Sequence, residues 1–239
     1  MFAALANPHR FMAFSRWAAP LCGLAAALAI VPGLWLGFAA PPDYQQGTTV
    51  RIMFVHVPAA ITAEWAYACL GGASFFALIF RHALADAAAR AVAPLGAAFT
   101  ALALVTGSLW GRPMWGAWWV WDARLTAVLV LLLLFLGYMA LRSAIDDEAK
   151  AGRAAAILAL VGLVNLPIIK FSVDWWNSLH QGESIFRPGG PTIAPVFLAP
   201  LGLMAGGYLL AFAALWLERT RAEVWRRRAQ SLAVQAAGR

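Results

Sequence analysis

Residues 125–141 read LTAVLVLLLLFLGYMAL, an uninterrupted run without a single charged side chain. As a helix rising about 1.5 Å per residue, this run is long enough to cross most of a hydrocarbon layer about 30 Å thick. Five further stretches read the same way, at about 18–39, 57–80, 92–110, 154–171 and 195–217. A bilayer core has no water to satisfy open backbone groups, so each stretch is expected to be helical. The sequence thus predicts an all-α integral membrane protein with six transmembrane helices, forming one domain over 1–239. The fifth span is the weakest, because Asn165, Pro167 and Lys170 crowd its end. Neither a second, soluble domain nor an internal repeat is visible.

Composition agrees. Hydrophobic residues make up 62% of the 239 and charged residues 12%, with a mean hydropathy of +0.71. Soluble domains average about 45–50% apolar and about 25% charged residues. One aqueous core of this size cannot hide the excess. Cys22 and Cys69 lie inside apolar runs without a CxxC or CxxCH pattern, which gives no sign of a disulfide, a redox pair or covalent haem attachment. The formal charge of +7 does not point to nucleic acid, because the basic residues flank apolar segments. Arg10 and Arg16 precede the first run, as in a signal peptide, but that run exceeds a usual apolar region of about 7–15 residues, so a retained span is expected.

Counting Lys and Arg on each side of the spans gives 13 on the side of both termini and five on the other. The positive-inside rule makes the first side cytoplasmic, so three loops, at about 40–56, 111–124 and 172–194, face outward. The inner loops RHALADAAAR and RSAIDDEAKAGR look like plain connectors, with His82 simply solvated. The C-terminal ERTRAEVWRRR reads as a basic helix extension at the membrane surface.

The outer side carries the chemistry. The third span runs into TGSLWGRPMWGAWWVWDARLT, where Trp110, Trp115, Trp118, Trp119 and Trp121 are five of the chain's 12 tryptophans. Trp115, Trp118, Trp119 and Asp122 have i, i+3, i+4, i+7 spacing, which would put them on one face of a short surface helix. Gly111, Pro113 and Gly116 are expected to end the third span before it. An aromatic belt is the bland alternative, but a belt spreads single aromatics over many helix ends at both interfaces. A continuous indole platform ending in a carboxylate suits a flat, polarisable ligand with charged edges.

Two histidines lie on the same side. His56, in RIMFVHVPAA, is expected just outside the second span, with Pro58 in the first helical turn. His180, in VDWWNSLHQG, shares a face with Trp176 if that stretch is helical, and Gly182 would end it. A lone interfacial histidine is usually structural, but two imidazoles beside the platform could take both axial positions of one haem iron. Zinc would need carboxylates from among Asp43, Asp122, Asp174 and Glu183 to complete its shell. Met53 and Met114 are alternative iron ligands. Arg51, Arg112, Arg124 and Arg187 are candidates for the propionates, with headgroup anchoring as the competing role. Asp122 is expected to orient the loop by pairing with Arg124. Glu64, inside the second span, is either protonated or paired with a neighbouring helix.

The runs WGRPMWGAWWVWDARLT, HVPAA and VDWWNSLHQG together resemble the CcmC family of cytochrome c maturation, a branch of the WWD-domain group. The resemblance covers essentially the whole chain. It implies a protein of the cell inner membrane that holds non-covalent haem b at the periplasmic face. The WWD motif (residues 110–126) and axial His56 and His180 would bind the haem and give it to the chaperone CcmE. CcmA, CcmB and CcmD would be its partners in an ABC-type transporter complex, with lipid around it and no nucleic acid. The haem lyases of the wider group usually continue from the motif's Asp into Pro-Lys-Glu, whereas this chain continues Asp122-Ala123-Arg124-Leu125-Thr126. No GxxxxGK[ST] is present, so ATP hydrolysis would belong to a partner. Three alternatives stay open: a lyase acting directly on apocytochrome c, a haem translocator, or a structural subunit that binds no haem.

Overall fold

The computed structural model describes residues 7–180, 182 and 189–237. Among them are seven helices: α1 (Pro8–Ala39), α2 (Met53–Phe80), α3 (Ala83–Trp115), α4 (Ala123–Ala144), α5 (Glu148–Gly162), α6 (Asn165–Trp175) and α7 (Pro195–Ala237). Six helical segments are long and apolar enough to cross a membrane, α5 and α6 together supplying one of them. The chain is a multi-pass, all-helical membrane protein.

The helices exceed the apolar runs that announced them. The 43 residues of α7 extend about 65 Å, roughly twice a hydrocarbon layer. Its ERTRAEVWRRR end extends the last span as one continuous helix. Its arginines join side chains from other helices: Arg227 bonds Asp86 of α3 (2.6 Å), and Arg226 bonds Glu148 of α5 (3.0 Å). His82 is likewise not merely solvated. It caps α3, its ring nitrogen accepting from the Ala85 N–H at 3.2 Å.

The fifth span breaks where its sequence is most polar. Pro167 has no N–H to return to the turn before it, so the ladder cannot run on unbroken. Residues 163–164 form the joint, and Asn165 donates to the Ala127 carbonyl of α4 at 2.9 Å. The side chain that weakened the span on paper fastens the break to its neighbour.

In lipid, helices associate through close packing and small residues rather than through the hydrophobic effect. The core obeys this. Buried alanines of α2, α3 and α5 let the backbones approach, and Tyr67, Leu70, Leu131, Phe135, Tyr138 and Phe212 fill what remains. A second cluster of Val50, Met53, Phe54, Phe197, Leu201 and Met204 lies at the other ends of α1, α2 and α7. Trp110 packs against that cluster.

Candidate functional site

The site lies where the start of α2 meets the end of α3. It is prepared by a turn. Asp43 accepts from the N–H groups of Gln45 and Gln46, both at 2.9 Å, and its backbone pairs with Gly47, which has φ +56°. Only a residue without a Cβ adopts that angle readily. The turn presents Gln46, whose amide oxygen accepts from Trp110 Nε1 at 3.0 Å. A 3-10 turn, Thr48–Ile52, then leads directly into α2.

His56 stands inside α2, near its start, rather than outside the span, and Pro58 falls beyond the first turn. Because the chain enters α2 already coiled as a 3-10 turn, helix begins earlier than Pro58 suggests. His56 Nδ1 lies 3.0 Å from the Ala103 carbonyl and 3.2 Å from Thr106 Oγ1. The Thr106 hydroxyl gives its own proton to the Leu102 carbonyl at 2.7 Å. Both neighbours can thus only accept, so Nδ1 carries the proton and Nε2 carries the lone pair. The ring meets Trp110 edge-on, with centroids 5.7 Å apart. Gly107 makes room for it, since a Cβ there would come within 2.9 Å of the imidazole.

His180 reaches the same chemistry by a different route. Its Nδ1 is 3.2 Å from Asp122 Oδ2, which also accepts from the Ser178 hydroxyl at 2.7 Å. Ser178 Oγ in turn accepts from the His180 N–H at 3.1 Å. Burial pushes the His180 imidazole below its ordinary pKa, with Asp122 opposing the shift. Burial works against the Asp122 carboxylate too, but the Leu125 N–H, Ser178 and His180 more than offset it and hold the group below the usual range. A neutral ring donating from Nδ1 to a carboxylate again leaves the lone pair on Nε2. Trp115 lies edge-on to His180 at 5.1 Å.

The loop between them is not helical. Helix α3 continues through Gly111 and Pro113 and stops at Gly116, whose φ of +75° begins the exit. Pro113 removes one N–H from the last turn, and the helix ends two residues later at Trp115. Beyond Gly116 the chain is irregular to Asp122, so Trp115, Trp118, Trp119 and Asp122 do not share a helical face. The irregular loop is pinned at both ends: Ser108 bonds the Trp118 carbonyl, and Asp122 caps α4 through the Leu125 N–H at 2.7 Å. Trp118 and Trp121 are exposed, and Trp119 meets Trp121 edge-on at 5.4 Å. Helix α6 ends at Trp175, so Trp176 and His180 do not share a helical face either.

Replacing Asp122 separates its two duties. Asp122→Ala should lose about 1 kcal/mol of helix capping, read as a lower melting temperature. Asp122→Asn can keep its oxygen on the Leu125 N–H, but its amide N–H then faces His180 Nδ1. The ring should move its proton to Nε2, visible as an exchange of the two imidazole nitrogen shifts in 15N NMR. Retention of the wild-type tautomer in Asp122→Asn would show that Asp122 does not set it.

A profile of the CcmC family, heme exporter protein C, matches residues 1–235 of this chain. The heme exporter protein C of Bradyrhizobium diazoefficiens is 54% identical over 235 residues, covering 98% of this chain and 89% of that protein. This chain belongs to the heme exporter protein C family. The proteins of the same name from Escherichia coli K12 and Paracoccus denitrificans are 49% and 45% identical, covering 91% and 95% of this chain and 88% and 95% of their own lengths.

Within this family member, the fold gathers His56, His180, Trp110, Trp115, Trp119 and Asp122 at one end of the bundle. Arg124 departs from expectation: it pairs not with Asp122 but bonds Ser172 Oγ at 3.3 Å and the Lys170 carbonyl at 3.2 Å. The Asp122 carboxylate is instead committed to the Leu125 N–H, the Ser178 hydroxyl and His180 Nδ1. Glu183 and Arg187 lie outside the described residues. Gln46, Ser178, Thr106 and Gly107 were not anticipated. Only Ser178 carried a signal, two residues from a candidate histidine.

Proposed function

We propose that this chain binds haem b at the membrane face carrying the tryptophan loop, through His56 and His180, and gives it to the chaperone CcmE during c-type cytochrome assembly. One observation carries the reading: two imidazoles at one site each have Nδ1 tied to a fixed acceptor and the lone pair on Nε2. Metal-binding histidines are held this way, because the second nitrogen's partner fixes both ring orientation and tautomer.

The remaining groups fit the cargo. Among the described residues, no three His, Cys, Asp or Glu side chains converge to cage a bare ion. Porphyrin brings four nitrogens of its own, so two protein ligands suffice. Trp110, Trp115, Trp118, Trp119 and Trp121 offer indole faces and edges to the macrocycle. Trp119 Nε1 and Arg51 Nε are buried without a hydrogen-bond partner among the described residues. Buried donors normally have acceptors, and a propionate oxygen supplies one. Arg112 and Arg124 add positive charge, while Asp122 orients His180. Helix α4 and the break at α6 leave a cavity of about 330 Å3 beside Trp121, Asp122 and Trp176, an open flank beside the platform.

The charge asymmetry supports a periplasmic position for this face, and membership of the heme exporter protein C family supports an inner-membrane location. CcmA, CcmB and CcmD would be its complex partners, with the ATPase chemistry on their side. The protein positions the group and tunes its iron, while the reactive edge belongs to haem. Co-expression with CcmE and with a CxxCH polypeptide tests the assignment. Haem-stained gels should show covalent haem on CcmE, and on the CxxCH polypeptide only when CcmE is present. Label on the CxxCH polypeptide without CcmE would make the chain a lyase instead, and purification free of haem would leave a structural subunit.

A further inference from the structure

At the end of the bundle opposite the tryptophan loop, α3, α4 and α7 enclose a cavity of about 530 Å3. We propose that this cavity holds the anionic headgroup of a membrane phospholipid. The inference does not rest on the haem reading.

The cavity wall is cationic. Arg90, Arg142, Arg219 and Arg226 line it, with Glu223 as the one carboxylate among its lining residues. Around it runs a network of ion pairs. Arg142 bonds Asp86 at 2.7 and 3.1 Å, Arg227 bonds Asp86 and Glu223, and Arg226 bonds Glu223 and Glu148. Arg90 is the loosest member, 3.4 Å from Glu148 and 3.8 Å from Glu223. Four guanidiniums thus meet three carboxylates, Asp86, Glu148 and Glu223, and Arg219 in the cavity wall raises the excess to two positive charges.

That excess has a location. Arg219 donates to the Ala91 carbonyl at 3.2 Å and forms no ion pair among the described residues. The Arg142 side chain is only 5% exposed, yet its Nε has no partner among the described residues. A buried guanidinium with an open N–H is costly unless an acceptor reaches it. Both residues line the same cavity, so one anion entering it can serve both.

The surroundings distinguish a lipid from a soluble anion. Ala91, Pro94 and Met139 give the cavity an apolar wall. Arg90 precedes the apolar run of α3, Arg142 follows that of α4, and Arg219 follows that of α7. The cavity therefore sits where apolar spans give way to charge, at headgroup depth. Its volume is within the range of about 300–1,000 Å3 typical of small-molecule sites. A phosphodiester with acyl chains satisfies the cationic and the apolar walls together, and basic pockets between spans recognise anionic lipids in this way. Occupied, the site would tie the long end of α7 to α3 and α4.

The test is native mass spectrometry of the delipidated full chain with phosphatidylglycerol, phosphatidylcholine or inorganic phosphate. Wild type should retain phosphatidylglycerol in clear preference to phosphatidylcholine. R219Q, which breaks no ion pair, should reduce that preference about fivefold, and R90Q/R219Q about thirtyfold. R219K should keep most of it. Melting curves in phosphatidylcholine nanodiscs check that each variant is folded. If the double variant fails that check, R219Q and R219K alone decide. No preference in wild type, or an unchanged preference in folded R219Q, overturns the proposal. Equal protection by inorganic phosphate also overturns it, since the ligand would then be a soluble anion.

Discussion

Gly96→Ala is expected to lower the melting temperature of the purified protein more than any other single methyl addition in the core apart from its counterpart at Gly162. A Cβ at position 96 would overlap the ring of Phe135. That ring has no exposed surface and already meets Tyr67 edge-on with centroids 5.0 Å apart. Interiors are close-packed, so the ring has nowhere to move without displacing Tyr67. Overpacking of this kind costs about 1–3 kcal/mol, and ring overlap belongs at the upper end. Gly162→Ala should act similarly, because its Cβ would overlap the Tyr67 hydroxyl from the other side. The control is Gly72→Ala, where no atom lies within 4 Å and no loss is expected. Gly96→Ala combined with Phe135→Leu should recover part of the loss, since the two side chains compete for one volume. Equal melting temperatures for Gly96→Ala and Gly72→Ala would mean that the α3–α4 contact does not limit stability.

That contact also shows what the sequence could and could not reveal. Six helices were legible because backbone hydrogen bonding in lipid leaves an apolar run of such length no other conformation. Their ends were not, because hydropathy marks the membrane and not the helix: α7 continues past its apolar run on ion pairs with Asp86 and Glu148. The tryptophan cluster and both histidines were legible through topology alone. Their local geometry was misread, since helical spacing from Trp115 to Asp122 means nothing once Gly116 leaves the helix and Ser108 holds the Trp118 carbonyl. Pairings that set the site, Gln46 with Trp110 and Arg124 with Ser172, join residues distant in sequence and leave no periodic trace. The Nδ1 partner of His56 is a backbone carbonyl, which no side-chain pattern can announce.

Those Nδ1 partners govern the second large effect. The wild-type protein, purified with its haem, should give the absorption spectrum of low-spin iron with two imidazole ligands. His56→Ala/His180→Ala should lose that haem altogether, with protein yield and melting behaviour preserved by the core far from the site. Each single variant keeps one imidazole, so it should retain less haem and shift toward a high-spin spectrum. Added free imidazole should restore the low-spin bands in either single variant, because the vacated position lies where an Nε2 lone pair was held. Asp122→Asn should weaken haem retention about 10- to 100-fold without removing a ligand atom, the usual scale for losing the group that orients a metal-bound histidine. Met53→Leu and Met114→Leu should leave the spectrum unchanged if imidazoles occupy both axial positions. Spectra identical to wild type in both single histidine variants would take iron away from these nitrogens. The tryptophan loop could then still bind the macrocycle, but the fixed tautomers of His56 and His180 would need another reason to exist.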